Sequence, residues 1–375
     1  MKSKTQHKED FIPLALSLYA YRNQKVRNHI GKYIPFVEPK NIYDFTGYVT
    51  EKNGDPDIKY PIHSCTVAET EDYNVLTFRG TYVPQGADVP FEQKTAELDW
   101  VNNATFEITK FPYEIKGGAV HSGFLEAVNI LWESTDETET LLVDRIKELM
   151  EENEKDLLIT GYSKGGALAP IAATILSENE GISKEKMIIK IFEAPRAGNF
   201  KFKAFFQDLF PDARRYEYQD DIIVHNPCKA SDAIFMKGLA YTLFEYVFPH
   251  PTAPAGELRS LIEPAFFGIA LSIYQPVGTL RWVNWNNEIT EIGETEETAN
   301  NKKRLERIKE LVDGGLESSA KLMADHSHMG HIWDVMCNDP WPPTFSLEIP
   351  LPTVAALSKM STEVELKNNK DEIQA

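Results

Sequence analysis

Ser163 lies in the segment Gly161-Tyr162-Ser163-Lys164-Gly165, where an apolar run ends and a stretch of small residues begins. The apolar run, 157–160, predicts a buried strand, and the stretch 167–178 predicts a helix. A serine at a sharp strand-to-helix turn, with glycines two positions before and after it, is typical of a nucleophile elbow, because the strained turn leaves no room for neighbouring side chains. The alternative is an ordinary serine that caps a helix.

A serine hydroxyl is a weak nucleophile at neutral pH, so a histidine must accept its proton and an acid must orient that histidine. A strand predicted at 215–218 is followed by Asp220 and Asp221, which offer two adjacent carboxylates. Later, the segment 325–331 reads Asp-His-Ser-His-Met-Gly-His and offers three histidines. The order serine, acid, histidine is the order found in sheets of this type, which favours the nucleophile over the helix cap.

Metal and disulfide chemistry are not indicated by the sequence. Beyond Asp325, no carboxylate or cysteine lies at ligand spacing near the three histidines, and hydrolysis by a serine requires no metal or organic cofactor. The three cysteines, Cys65, Cys228 and Cys337, are far apart, odd in number and without CxxC spacing. They suit a reducing compartment, so we expect a cytoplasmic rather than a secreted protein.

The elements that must position these residues alternate between helix and strand. Helical spacing at 123–132 and 141–150 precedes the strand at 157–160; a further strand at 187–195 and a helix at 201–209 follow. Alternation of this kind predicts an α/β fold with a mostly parallel central sheet flanked by helices.

Several segments interrupt that order. Residues 229–273 contain two aromatic-rich stretches joined by a turn, which we interpret as an inserted helical cap. The N-terminal 1–40 predicts a helical extension rather than a signal peptide, because Glu9 and Asp10 precede its apolar stretch. The segment 264–280 is shorter than the ~20 apolar residues of a spanning helix, and we expect 341–375 to be a C-terminal tail.

The charge balance limits the partners. The chain has 375 residues with 39 basic and 57 acidic side chains, for a net charge of −18. This excess repels phosphate backbones, which argues against nucleic acid as a partner. Transient contact with a lipid interface would have to use apolar surface, and the sequence leaves the oligomeric state open.

Six separated stretches resemble, in order, the class 3 lipase family of α/β-hydrolases. YNVLTFRGT resembles the strand and FRG[TS] turn that supplies an oxyanion donor, and GYSKGGALA resembles the GHSLGGALA elbow. The remaining four are VHSGFLEAV, EAPRAGNFKF, DDIIVHNP and YQPVGTLRW. The resemblance spans roughly 65–335 and implies one α/β-hydrolase domain, 41–340, with a possible lid at 82–112.

The resemblance also implies roles for individual residues. Ser163 becomes the nucleophile, Asp221 the orienting acid and His326 the base, with His328 as the reserve choice. The oxyanion hole is formed by Thr81, through its N–H and its hydroxyl, and by the backbone N–H of Lys164. His121 is interpreted as a structural hydrogen-bonding residue beside the nucleophile turn.

Three residues depart from the family pattern near the elbow. Tyr162 and Lys164 stand where His and Leu are commoner, and Glu193 replaces a small glycine. The Lys164 side chain has no role in this scheme, and we expect it to be solvated.

The sequence therefore predicts a serine hydrolase that cleaves carboxylic esters through an acyl-enzyme, with lipid esters as the favoured substrates, of the triacylglycerol lipase or phospholipase A type. The alternatives are an esterase or acyltransferase acting on small soluble acyl substrates, and a non-catalytic interaction protein on a hydrolase scaffold.

Overall fold

The computed structural model describes residues 8–34, 36, 41–51, 54–82, 90–103, 108–111, 118–227, 274–314 and 330–337. The candidate bases His326 and His328, the predicted cap and the C-terminal tail lie outside these residues. Of the possible lid, only 82, 90–103 and 108–111 are described. None of the helices described in these ranges is both long and apolar enough to cross a bilayer.

The strands are, in chain order, β1 (Ile42–Val49), β2 (Tyr60–Glu69), β3 (Asn74–Phe78), β4 (Ile108–Lys110), β5 (Ala119–His121), β6 (Leu157–Tyr162), β7 (Met187–Phe192), β8 (Gly198–Asn199), β9 (Arg214–Tyr218), β10 (Tyr274–Gln275), β11 (Thr279–Val283) and β12 (Ile289–Ile292).

The helices are α1 (Lys8–Tyr19), α2 (Gln24–Ile30), α3 (Pro90–Asn103), α4 (Ser122–Trp132), α5 (Leu142–Glu152), α6 (Lys164–Glu178), α7 (Phe200–Leu209), α8 (Glu294–Asp313) and α9 (Gly330–Met336). Helix α8, which is rich in charged residues, ends at Asp313, directly before Gly314.

An eight-stranded sheet forms the centre, in the order β1-β2-β3-β6-β7-β9-β11-β12. The five strands from β3 to β11 run parallel, whereas β1, β2 and β12 pair antiparallel with their neighbours. A second sheet of short strands has the order β10-β8-β5-β4. The alternation of helix and strand therefore produced the mostly parallel sheet that the sequence predicts.

Both faces of the central sheet are covered, as the near-continuous apolar run of β6 requires. Leu157 and Ile159 join a core cluster with residues of α4, α5, α6 and α7. Leu158 and Tyr162 join a second cluster, on the other face, with residues of α1, α2 and α9. Successive side chains of a strand point to opposite faces, so β6 contributes to both cores.

The N-terminal helix α1 lies against the sheet through polar contacts as well as apolar ones. The hydroxyl of Thr77 on β3 donates to the Leu16 carbonyl at 3.0 Å, and that of Thr160 on β6 donates to the Pro13 carbonyl at 3.1 Å. Asp10, one of the two acids that argued against a signal peptide, pairs with Lys190 on β7 at 3.0 Å. Helix α1 is therefore fixed to the strand that carries the predicted elbow.

Candidate active site

Ser163 lies between the last residue of β6 and the first residue of α6, with φ 54° and ψ −127°. A non-glycine residue with positive φ is strained, so its surroundings must hold it there. Its N–H donates to the Phe192 carbonyl at 2.9 Å, and its carbonyl accepts from the Gly166 N–H at 2.8 Å. The side chain is 8% exposed and makes no capping bond to α6, so its conformation is that of an elbow rather than of a helix cap.

The flanking glycines allow this turn to form. A Cβ on Gly161 would overlap the backbone of Gly165, and a Cβ on Gly165 would overlap the carbonyl of Phe78 at the end of β3. Because these obstacles are backbone atoms, no side-chain rotation could relieve the overlap. The glycines are therefore required for the reason that the sequence predicts.

The turn after β3 lies directly against the elbow. A Cβ on Gly80 would lie 2.8 Å from the Tyr162 carbonyl oxygen and 3.2 Å from the Ser163 Cβ. Thr81 follows in this turn, and Lys164 follows the serine, so the two predicted oxyanion donors belong to neighbouring segments. The first N–H groups of a helix have no acceptor within that helix, which leaves the Lys164 N–H suited to binding an anion.

The Thr81 hydroxyl is oriented by the last residue of α3. Asn103 Nδ2 donates to Thr81 Oγ1 at 2.8 Å. Because Oγ1 accepts this bond, the hydroxyl proton is available to a different acceptor. The side chain of Thr81 is thus arranged to be a donor.

His121 has the structural role that the sequence predicts. Its Nδ1 accepts from the Phe124 N–H at 3.3 Å, so the proton resides on Nε2, which lies 3.2 Å from the Asn103 carbonyl oxygen. Burial lowers the pKa of His121 to about 3, although the bond to Asn103 opposes this shift. The imidazole is neutral and caps α4, and it also supports the residue that orients Thr81.

The expectation of a solvated Lys164 side chain is wrong. This side chain is 3% exposed, and its ammonium forms an ion pair with Asp99 of α3, whose side chain is 0% exposed. Lys164 Nζ also lies 3.4 Å from His63 Nδ1. A buried charge is costly unless it is paired, and α3 supplies the partner that a reading of the elbow alone does not reveal.

The charges of this cluster follow from burial. Burial lowers the pKa of Lys164, while Asp99 opposes that shift. Burial also holds the pKa of His63 well below its usual range, and the neighbouring Lys164 lowers it further. The pair therefore lies beside a neutral imidazole.

Glu193, the third departure from the family pattern, has a positive φ of 50°, which explains why a glycine suits this position. Its Oε1 accepts from the Tyr218 N–H at 3.1 Å, and its Oε2 lies 3.5 Å from the Tyr162 hydroxyl, which donates to it. These bonds hold the glutamate in place and connect two of the family departures beneath the elbow.

The two candidate acids lie side by side after β9 but have different partners. Asp220 accepts from Trp285 Nε1 at 2.9 Å through one oxygen and from Arg307 Nε at 2.7 Å through the other. Asp221, 0% exposed, accepts from the Ile223 N–H at 2.8 Å. Both oxygens of Asp220 are thus bound to the β11–β12 hairpin and α8.

Buried ion pairs fix the strand that leads to these acids. Glu217 on β9 pairs with Arg304 of α8 and, at 2.8 Å, with Arg215. Burial alone would raise the pKa of Glu217, but Arg304 and Arg215 outweigh this effect and lower it to about 2. Arg304 Nε also donates to the Gln219 carbonyl at 2.9 Å, so α8 is bound to β9 by several charged contacts.

The described residues that follow the candidate bases in the chain pack against the end of β9. His331, at the start of α9, stacks on the ring of Tyr218, the last residue of β9, with a centroid distance of 5.0 Å. Two residues later, Trp333 packs on Phe11 of α1, with a centroid distance of 4.6 Å between the rings. The last residue of the histidine segment therefore contacts Tyr218, which lies three residues before Asp221 in the sequence.

Tyr21, just after α1, reaches the turn after β3 that contains Gly80 and Thr81. The sequence did not predict this contact. The Tyr21 hydroxyl occupies the space that a Cβ on Gly80 would need. Burial raises the pKa of Tyr21, and a hydrogen bond from the Gly80 backbone opposes that shift. No local pattern marks this residue, because its partner lies in a distant strand-end turn.

Within the ranges that the structure describes, no group of three or more His, Cys, Asp or Glu side chains is arranged to hold a metal ion. The described part of the site consists of a strained serine, backbone donors and buried charge pairs. The first two are groups that acyl transfer uses.

Comparison with known proteins agrees with this geometry. The family model described as Lipase (class 3) matches residues 75–230. Over these residues the chain is similar to the class 3 lipase family. The matched region contains Thr81, Ser163, Lys164 and Asp221, whereas Tyr21 and the histidine segment lie outside it. The mostly parallel central sheet flanked by helices agrees with the α/β fold expected from the sequence.

Individual relatives are more distant. Lipase ZK262.3 of Caenorhabditis elegans is 32% identical over 88 residues, which cover 23% of this chain and 23% of that protein. The chain thus matches only about a quarter of the length of this curated relative. A Rhizomucor miehei triacylglyceride lipase is 17% identical with a TM-score of 0.47, over 77% of this chain and 84% of that chain. Lipase II from Rhizopus niveus is 20% identical with a TM-score of 0.43, over 60% and 76%.

Proposed function

We propose that this protein is a carboxylic ester hydrolase that acts on lipid esters through an acyl-enzyme on Ser163. The observation that carries the proposal is the positive-φ serine between β6 and α6, in direct contact with the Gly80 turn. Strain of this kind persists where the surrounding structure holds it, and it is concentrated at functional sites.

Asp221 is the proposed acid. Asp220 has both oxygens engaged by Trp285 and Arg307, which leaves it poorly placed to orient an imidazole. In the sheet, β6 and β9 are separated by β7 alone, so their carboxyl ends lie about 10 Å apart. An imidazole between Ser163 and Asp221 would span this gap.

His326 is the proposed base, with His328 as the reserve. The stacking of His331 on Tyr218 supports this, because it tethers the end of the histidine segment beside the proposed acid.

In the proposed reaction, the base accepts the Ser163 proton while Oγ attacks the ester carbonyl carbon. The resulting oxyanion accepts hydrogen bonds from the N–H groups of Thr81 and Lys164 and from the Thr81 hydroxyl. The base then donates the proton to the departing alkoxide, which leaves as the alcohol. Finally it deprotonates a water molecule that attacks the acyl-enzyme, and it returns this proton to Ser163 Oγ as the bond to the acyl group breaks and the acid is released.

The decisive experiment is intact-mass measurement after treatment with a fluorophosphonate probe. The wild type should gain one probe adduct, and Ser163→Ala should gain none. Separate His326→Ala and His328→Ala variants identify the base, since removal of the true base should nearly abolish labelling. An unlabelled wild type, or labelling that survives Ser163→Ala, would contradict the proposal.

The substrate class requires a second measurement, because the net charge of −18 disfavours anionic lipid surfaces and favours a soluble ester as the alternative. The lipase relatives support lipid esters. Rates along a series of p-nitrophenyl esters should rise with acyl length and with substrate presented at an interface. A preference for acetyl esters without interfacial activation would favour the soluble-ester alternative.

A further inference from the structure

Lys164 contributes to the site through two different groups. Its backbone N–H is a proposed oxyanion donor, and its buried ammonium pairs with Asp99 of α3. The other oxygen of Asp99 accepts from the Tyr82 N–H at 2.7 Å. Tyr82 directly follows Thr81, the residue of the second proposed donor. One carboxylate therefore contacts both segments that form the oxyanion hole.

Contacts elsewhere fix the helix that carries Asp99. Near its start, Phe91 stacks on Tyr60 of β2 with a centroid distance of 5.1 Å. At its end, Asn103 binds both Thr81 and His121. Helix α3, which carries Asp99, is thus held by separate contacts to the central sheet and to β5 of the second sheet.

The ion pair complements the steric contacts at the same place. The packing of Gly80 against Ser163 prevents the turn from moving toward the elbow. Steric contact does not resist movement in the opposite direction. The attraction between Lys164 and Asp99, together with the Tyr82 N–H bond to the same carboxylate, resists that separation.

We infer that Asp99 and Lys164 are positioning residues that hold the two oxyanion donors at a fixed separation. This inference rests on the proposed hydrolase function. The ion pair replaces the apolar contact expected where Leu is commoner at the position of Lys164. Oxyanion donors act only if their distance to the developing charge is maintained, so loosening the pair lowers the rate of the chemical step more than it weakens substrate binding.

The test uses Asp99→Asn, Lys164→Met and the double variant, with p-nitrophenyl ester kinetics and thermal unfolding. Each single variant should lower kcat by about tenfold or more, which is smaller than the loss expected when an oxyanion donor is removed completely. KM should change by less than about threefold. Affinity for a trifluoromethyl ketone, which mimics the oxyanion, should fall by the same factor as kcat/KM. The double variant should lose less than the product of the two single losses, because it leaves no unpaired buried charge.

The matched control is the ion pair between Arg145 and Asp136, at 2.8 Å, with an equally buried carboxylate and no connection to the elbow. Asp136→Asn and Arg145→Met should lower the unfolding temperature and leave kcat unchanged. If the Asp99 and Lys164 variants behave like these controls, the pair is only structural and the inference is overturned.

Two further arms complete the design. Lys164→Arg keeps the positive charge but changes its geometry, so it should fold even if Lys164→Met does not. It should still lower kcat. An unchanged kcat in folded Lys164→Arg and in folded Asp99→Asn overturns the inference. A wild type that the fluorophosphonate probe does not label overturns the proposed function and this inference together. A labelled wild type with unaffected variants overturns this inference alone.

Discussion

The nucleophile and the acid are held in place by different kinds of contact. Around Ser163, backbone atoms meet backbone atoms at Gly161 and Gly165, with no space for a methyl group. Around the end of β9, charged side chains from α8 hold Glu217 and Asp220. The first arrangement depends on shape, whereas the second depends on charge.

This difference separates the expected responses to mutation and to pH. A steric arrangement fails when one atom is added and is indifferent to protonation. A buried ion pair fails when one partner is neutralised, and its contribution changes as the carboxylate titrates.

The largest expected effect separates the adjacent acids. Asp221→Asn should lower kcat/KM for an ester by about 10⁴-fold, the size of the loss when the acid of a serine triad is neutralised. Asp220→Asn should lower the unfolding temperature, because Arg307 and Trp285 lose their charged partner, with a loss of activity below about tenfold. A reversed order in the same assay would make Asp220 the acid.

The next effect tests the steric side. In an ordinary helix, replacing Gly with Ala stabilises by up to ~1 kcal/mol. Gly165→Ala should instead lower the free energy of unfolding by about 3 kcal/mol or more, because the new Cβ overlaps the Phe78 carbonyl. Gly293→Ala is the control, since no atom lies within 4 Å of its Cβ position. Equal results in urea unfolding would refute the steric explanation.

The third prediction tests the charged side through pH. The folded pKa of Glu217 is lowered to about 2, so its contribution to stability is complete above the pKa of about 4.3 in the unfolded chain and is lost as the pH falls toward 2. Glu217→Gln should be less stable than wild type by about 3 kcal/mol at pH 7, and this difference should shrink between roughly pH 4.5 and 2. Unfolding curves across this range provide the measurement, and a difference that does not change with pH would exclude a role for the charge.

The smallest expected effect concerns Tyr21. Tyr21→Phe removes the hydroxyl beside Gly80 and should lower kcat by roughly tenfold, less than the loss of a direct oxyanion donor, with little change in KM. Tyr19→Phe, two residues earlier and distant from the turn, should leave kcat unchanged. Equal kcat in both variants and wild type would show that the hydroxyl does not contribute.

The elbow could be predicted from the sequence because its determinants are local. The buried strand, the two glycines and the small-residue helix all lie within 157–178, and their geometry follows from sterics. The mostly parallel central sheet was likewise predictable from the alternation of helix and strand. In contrast, Asp99 meets the elbow across 65 residues, and Tyr21 meets the Gly80 turn from a distant part of the chain, both only through tertiary packing.

Lys164 shows why the electrostatic part was missed. Lysine is almost never fully buried unless it is paired, so a solvated side chain was the reasonable expectation at the start of a helix. The partner lies in α3, within the segment interpreted as a possible lid. Only the packing of α3 against the elbow reveals that this departure from the family pattern is accompanied by a second charge.

Helix α1 covers apolar strand residues that include Val75, Leu158 and Phe192. A shortened polypeptide beginning at residue 41 would therefore expose these apolar side chains to solvent, and exposed apolar surface promotes aggregation. Such a fragment should collect in inclusion bodies during recombinant expression. Enzymologists choosing start sites for this hydrolase candidate should accordingly retain the first forty residues.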